Sequence, residues 1–428
     1  MSAPVPIDLV SVLASLIVGV VGLIAALAAH WRASARRRVA NACDAVAKDR
    51  ERLHVRHAAV LVNPHSGGGS GARVFHEVVQ PILAAASVDV AVHMTERSGH
   101  AREICACLAR DSRTPLDVVI SVSGDGMLHE CLNGLVQGAL DGGSRATASA
   151  LDLPPLGIVP AGSGNGVATS LYGRGHDAVD ALLSILRAPQ KGRPIDTLAL
   201  RYLDDDGGGG GDDDRGRVST RRAARALRTY DLHFACWAAF ADHDFLTEGP
   251  LRWLGPTLKA VIAPLCVIGR LQCYRGVCDF EPAPPTHASY APADACPSSP
   301  DDPSMRRIEG EFWVWALANL CEGGGDTRPA PHAAPSEGAA DLLVCLGGRG
   351  RLSRWRAAQL FLAMESGHHL DARDEVQCYK VRRVRLLPPR EPGAPARLPS
   401  HLHLSGQEMR CAAVEVEVLM GVATMRWS

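Results

Sequence analysis

The chain has 428 residues, 46% of them hydrophobic, which is enough for two domains with sizeable cores and argues against a disordered polypeptide. Its 45 Lys and Arg against 46 Asp and Glu leave a formal charge of -1, and aromatic residues make up 5%; neither a global field nor a stacking platform draws it to nucleic acid. Thirteen cysteines, an odd number scattered without a CxxC pair, argue against a disulfide framework or a zinc site and fit reduced, mostly buried thiols.

The first element is the uncharged run LVSVLASLIVGVVGLIAALAA at 9–29. At about 1.5 Å per residue it is long enough for a hydrocarbon core of about 30 Å, so it predicts a transmembrane anchor. Arg32, Arg36, Arg37 and Arg38 follow it, while only Asp8 precedes it, which predicts a single-pass membrane protein with its following domain in the cytosol. A buried core helix or a cleaved targeting sequence is the alternative. Residues 30–56 read as a basic connector.

From 57 to 193, apolar runs at 58–63, 88–94, 116–124 and 156–162 alternate with helical spacing at 72–86, 100–109 and 127–136. This is the βαβ pattern of a Rossmann-like parallel α/β domain. From 194 to 415 the segments at 229–240, 311–320 and 341–348 are strand-like and predict an antiparallel β domain. Insertions at 204–217, 282–304 and 323–340 read as loops too polar or flexible to pack, and 416–428 as a C-terminal strand returning to the first domain.

Three loops follow predicted strands. NPHSGGGSG (63–71) offers backbone amides to an anion, although a glycine-rich turn that holds no ligand has the same look. SGDG (123–126) sets the Asp125 carboxylate at a strand's carboxyl end, where it is either a base for an acceptor hydroxyl or a helix N-cap. PAGSGNG (160–166) adds further amides and the Ser163 hydroxyl. Three such loops on consecutive strand ends argue together for a nucleotide cleft.

VLVNPHSGGGSG, TERSGHARE, VSGDGMLHECLNGL and IVPAGSGNGVATSL resemble the diacylglycerol-kinase-type catalytic domain of the lipid kinases, and the GDGxxHExxNGL form is most similar to the sphingosine kinases. The resemblance continues through CWAAFADHDFLTEGPLRWLG, CYRGVCDF and SRWRAAQLFLAMESGHHL. It implies transfer of the γ-phosphate of ATP, with Mg²⁺, to the primary hydroxyl of a sphingoid base. It also implies a second domain that is an antiparallel β-sandwich carrying the lipid pocket, with a membrane as partner.

By the same resemblance Asp125 is the catalytic base. The implied nucleotide positions are Asn63, Pro64, His65, Thr95, Glu96, Arg97, Ser98, Gly99, Glu130, Gly162, Ser163, Gly164 and Arg252. Ser405, Gly406 and Gln407 stand where the family has its DGE triplet, Ser336 to Gly338 where it has an Asp-Gly, and Lys259 only near an expected second basic residue. Ser123, Gly124, Gly126 and Asp244 are the implied acceptor positions; a carboxylate at Asp244 suits a cationic amine. No protein metal ligand is assigned, and His100, His129, His368 and His369 read as packing or solvated residues. The rival readings are a ceramide or diacylglycerol kinase, and a catalytically weak membrane-bound lipid-binding scaffold. Oligomeric state is not legible.

Overall fold

Strands whose two faces are both covered must be apolar at every position. Three of the first four strands are of this kind: β1 (His57–Val62), β3 (Val118–Ser123) and β4 (Leu156–Pro160), whereas β2 (Asp89–Met94) is an exposed edge. The computed structural model describes residues 9–111, 115–141, 151–203, 228–324, 327–348, 350–389, 398–409 and 412–428. The four strands run parallel in the order β4-β3-β1-β2.

Alternation sends Ala58, Val60, Val62, Val118, Ile120 and Val122 to one face, and Ala59, Leu61, Val119 and Ile158 to the other. The first face is covered by α1 (Leu9–Lys48), by α2 (Ser70–Val74) and α3 (Gln80–Ala85), which a π-helical turn joins, and by α7 (Ala178–Arg187). The second is covered by α4 (His100–Arg110), α5 (Asp125–Asp141) and α6 (Gly166–Tyr172).

The remaining elements are β5 (Arg193–Leu203), β6 (Arg228–Asp231), β7 (Phe234–Ala238), α8 (Ala239–Glu248), α9 (Gly255–Arg270), β8 (Tyr274–Pro282), β9 (Arg306–Ala318), β10 (Ala340–Leu346), α10 (Arg354–Ala363), β11 (Val376–Leu387), β12 (Leu402–Leu404), β13 (Gln407–Met409) and β14 (Ala413–Met425). The expected antiparallel pairing is present, but the expected β-sandwich is not. Strand β8 pairs with β9, β9 with β10, β10 with β11 and β11 again with β8, closing a small barrel.

Closure depends on two long strands that change partner along their length. Residues 306–312 of β9 pair with β8 and 314–318 with β7; residues 376–381 of β11 pair with β10 and 383–386 with β14. The extra strands β5, β6, β7, β12 and β13 decorate the barrel. The result is a mixed α/β fold in which β14 pairs with β5 and β11 and, through Met425 and Leu156, with β4.

The predicted transmembrane anchor is also corrected: among the described residues, no helix is long and apolar enough to cross a membrane. The apolar run is one end of α1, which continues through the arginines to Lys48. Its later part is amphipathic and packs Ala42 and Val46 against Val79, Ile82 and Leu83. Arg38 pairs with Asp177 at 2.8 Å and with Asp180 at 3.0 Å, so the basic stretch contacts α7. The single-pass topology and the cytosolic orientation derived from it fall with the anchor.

Two expected loops are in fact held in place. Arg307 reaches Asp279 with two hydrogen bonds of 2.7 Å and Asp301 at 2.8 Å, and Ser299 donates to Asp279 at 2.8 Å, which fastens 282–304 to the barrel. In 323–340, the Gly338 amide donates to Asp196 at 2.6 Å and His369 meets the Pro329 carbonyl at 3.0 Å. Residues 204–217 lie outside the described residues.

Helix α5, which begins at Asp125, lies directly on the backbone of α4. A Cβ on Gly138 would sit 2.3 Å from the Ala106 carbonyl oxygen, and one on Gly134 2.3 Å from that of Arg102. Gly138→Val is therefore expected to cost about 1–3 kcal/mol of stability, read as a lower urea midpoint at unchanged m-value.

Candidate active site

Because β3 and β4 are parallel neighbours, with Ser123 opposite Pro160, the loops that leave them emerge side by side at the carboxyl edge of the sheet. The two turns touch through glycine: a Cβ on Gly162 would lie 2.5 Å from the Gly124 Cα, and one on Gly124 2.8 Å from the Gly164 carbonyl oxygen. The loop after β1 joins them. Gly67, at φ +53°, packs so closely that a Cβ would come within 2.4 Å of the Ala161 carbonyl oxygen, and Ser70 Oγ donates to that oxygen at 3.0 Å.

Asp125 stands at this junction. Its Oδ2 accepts the Gly166 amide at 2.8 Å and its Oδ1 the Val167 amide at 3.1 Å, both from the first turn of α6. The carboxylate thus caps the N-terminus of α6 rather than that of its own helix. Burial pushes the Asp125 carboxyl above its ordinary value of 3.8, against the opposing pull of the His233 ring and the two amides; the charge of Asp231 adds to the rise.

A second buried carboxylate lies nearby. His129 Nδ1 is 2.7 Å from Asp231 Oδ2, while Asp231 Oδ1 accepts the His233 amide at 2.6 Å, the Phe234 amide at 3.1 Å and the Ser405 hydroxyl at 3.0 Å. Burial alone would raise the Asp231 carboxyl; the His129 ring, the His233 amide and the Ser405 hydroxyl outweigh it and hold it below its ordinary value. His129 is therefore a charge partner as well as a packing residue. Asp231 and His233 were not singled out from the sequence, although polar residues inside the apolar stretch TYDLHFACW are a signal of function.

Asp125, His233, Phe234 and Ser405 border a cleft with room for about 670 Å³. Of the nucleotide positions expected from the resemblance, Asn63, His65, Gly162, Ser163, Gly164, Ser405 and Gly406 line it, as do Asp125, Ser123, Gly124, Gly126 and Asp244. Gly68, Gly164 and Gly406 would each place a Cβ in open space, so their backbones face the cleft. The turns form a polar concavity suited to a phosphate chain.

Other expected residues lie behind it. Thr95 is buried, with its amide on the Val62 carbonyl at 2.9 Å, and the Gly99 amide donates to Glu130 at 2.9 Å, which pins the loop from Thr95 to Gly99 against α5. The Glu96 amide meets His100 at 3.2 Å, and Arg97 pairs with Glu103 at 2.6 Å. Ser98, Pro64 and Gln407 are absent from the cleft lining. Ser123 Oγ is turned to Ser121 Oγ at 2.7 Å and to the Gly124 carbonyl at 2.8 Å. Arg252 opens a short 3-10 turn, and its side chain lies outside the description.

Asp244, on α8, is flanked by His243 at 3.5 Å and His403 at 3.8 Å. Lys259 reaches the cleft with its Nζ 3.3 Å from Glu248. Glu337, in the altered Ser-Glu-Gly triplet, instead pairs with the buried Lys380, which also binds Asp341 at 2.7 Å.

Comparison with known proteins agrees with this geometry. Residues 57–199 match the family model described as the diacylglycerol kinase catalytic domain. The chain has a lipid-kinase fold of this catalytic-domain type. It is 28% identical over 331 residues to sphingosine kinase 1 of Homo sapiens, covering 73% of this chain and 77% of that protein. It is 29% identical over 306 residues to sphingosine kinase 1 of Arabidopsis thaliana, covering 67% of this chain but 56% of that protein. A solved diacylglycerol kinase from Bacillus anthracis str. Sterne shares the fold, with a TM-score of 0.51 at 15% identity over 88% of this chain and 97% of that one. The chain thus shares its fold with a bacterial diacylglycerol kinase and is similar in sequence to sphingosine kinases.

The catalytic domain's central carboxylate gives a direct test. Carbon-13 NMR of Asp125 is expected to show a midpoint above 3.8 in the folded protein. Between 3.8 and that raised midpoint the native state binds more protons than the unfolded one at this site, so the contribution of Asp125 to stability falls as pH rises.

Proposed function

We propose that the protein is an ATP-dependent lipid kinase that phosphorylates the primary hydroxyl of sphingosine or a related sphingoid base. The observation that carries this reading is the position of Asp125: a carboxylate fixed by two α6 amides, in one cleft with the glycine turns on one side and Asp244 on the other. When bound, Mg·ATP supplies the phosphoryl group and the metal's neutralising charge. Among the described residues no group of three or more His, Cys, Asp or Glu is placed to hold a metal ion.

In this mechanism the amides of Gly67–Gly68 and Ser163–Gly164 orient the phosphate chain across the end of β3 and β4, while the Gly162 amide is held by Asn165 Oδ1 at 3.1 Å. Asp125 accepts the proton of the acceptor hydroxyl as that oxygen attacks in line, and its raised affinity for a proton makes it a better base than a solvated carboxylate. Asp244 receives the cationic amine in a charge-assisted hydrogen bond that a neutral acceptor lacks. Ser405 is tied to Asp231, so its part is to brace the segment under the cleft. The apolar slot behind α8, lined by Phe240, Val267, Ile268, Phe361 and Met364, has room for only about 10 Å³ and would have to widen to admit the acceptor's tail.

Transfer of labelled γ-phosphate to sphingosine, ceramide and diacylglycerol, assayed in parallel, tests the reading. Labelled sphingosine phosphate is expected, with Asp125→Asn slowing transfer about 10²–10⁴-fold. Asp244→Asn should lower kcat/KM for sphingosine about 10–100-fold, the value of a hydrogen bond to a charged group. Labelling of a neutral lipid alone would reassign the acceptor, and no labelling by folded protein would refute the kinase reading.

The nucleotide half can be tested separately. A side chain at Gly164 meets nothing in the free protein but enters the cleft. Gly164→Val is therefore expected to raise the Kd for Mg·ATP at least about tenfold, or about 1.4 kcal/mol. Its Tm should stay within about 2 °C of the parent's, because nothing is displaced. Unchanged nucleotide affinity would place the phosphates elsewhere.

A further inference from the structure

Asp125 takes a proton in each turnover and must lose it before the next, yet both of its oxygens are engaged by backbone amides in a buried position. Among the described residues His233 is the basic side chain paired with it. His233 Nδ1 is 3.9 Å from Asp125 Oδ2, and the ring lines the same cleft.

The ring's environment defines its tautomer. His233 Nε2 is 2.6 Å from the Glu322 carbonyl oxygen, which only accepts, so Nε2 carries the hydrogen and Nδ1 keeps a lone pair directed toward Asp125. The ring cannot easily turn away: a Cβ on Gly166 would lie 2.5 Å from its Cε1 and Nε2, and Asp231 holds the His233 amide from below.

The surrounding charges leave Asp125 as the partner of Nδ1. Glu322 offers the ring only its carbonyl, because its carboxylate is taken by Arg174 at 2.9 Å and by Arg328 at 2.6 Å. Asp231, on the ring's own segment, is occupied by His129, Ser405 and two amides. From α5 the facing groups are Asp125 and, beyond Asp231, His129.

We propose that His233 acts through Asp125 as the second station of the proton, receiving on Nδ1 what Asp125 has taken from the acceptor hydroxyl. The proposal rests on the kinase reading. As the acceptor O–H bond breaks, the new O–P bond forms and the bond from the γ-phosphorus to the departing diphosphate breaks; the proton goes to Asp125 Oδ2. The Asp125 O–H bond then breaks and an N–H bond forms at His233 Nδ1, leaving a carboxylate ready to act again beside an imidazolium, whose Nδ1 proton passes to solvent in the cleft once the products have left. Catalytic hydrogen bonds are often long before substrate binds, and a closure of about 1 Å brings this pair into range.

The test uses the full chain. His233→Ala, shown to be folded by its circular dichroism and Tm, is expected to lower kcat about 10–100-fold with both KM values within about twofold, and added imidazole should restore part of the rate. In His233→Gln the NMR midpoint of Asp125 should rise further, since the His233 ring, which pulls that carboxyl down against the effect of burial, is gone. Unchanged kcat, loss confined to KM without rescue, or an unmoved Asp125 midpoint would each overturn the proposal. Should neither variant fold, nitrogen-15 NMR of the natural protein decides: hydrogen on Nε2 of the neutral ring agrees with the proposal, and hydrogen on Nδ1 contradicts it. If no lipid is phosphorylated the kinase reading fails by itself, while the titration and tautomer measurements still judge the coupling of His233 to Asp125.

Discussion

An ionised carboxylate cannot be kept out of water unless its charge is met, and the site is organised around meeting that of Asp125. Two amides at the start of α6 supply the hydrogen bonds. They reach it only because the turns after β3 and β4 come within van der Waals contact, which glycine at 124 and 162 permits and a side chain would prevent. The parallel register of those strands, the glycine seam between α4 and α5, and the burial of both sheet faces all serve this approach.

The same economy explains the second layer of charge. Asp231 is completely buried, yet four donors surround it, and two of them are the backbone amides of His233 and Phe234 where the chain enters β7. The carboxylate therefore locks the entry into β7 while its partner His129 sits one turn along α5 from Asp125. The barrel side and the α/β side of the molecule are thus joined beneath the cleft by hydrogen bonds between buried polar groups, whose loss would leave unsatisfied partners.

Much of the α/β half was legible in the sequence. Strands buried on both faces must be apolar runs, so β1, β3 and β4 stand out, and glycines after them mark the loops that meet at Asp125. What was not legible depends on contacts distant in sequence. His129 and Asp231 are 102 positions apart, and nothing local joins them. The closure of β8 to β11 depends on β9 and β11 exchanging partners near Phe312 and Val381, a choice made by tertiary packing and invisible to periodicity. The run at 9–29 was misread because its lack of charge was judged alone, without the amphipathic half of α1 that continues it onto the domain. What holds the loops 282–304 and 323–340 was not legible for a similar reason: their ties run to Arg307 and Asp196, which lie outside them.

The most direct test of the account is a crystal structure with a non-hydrolysable ATP analogue, Mg²⁺ and sphingosine bound together. The account predicts the triphosphate lying against the turns at 67–68 and 162–164, and the acceptor hydroxyl within about 2.6–3.2 Å of an Asp125 carboxylate oxygen. A triphosphate bound elsewhere, or an acceptor hydroxyl directed away from Asp125 in a complex otherwise poised for transfer, would contradict it.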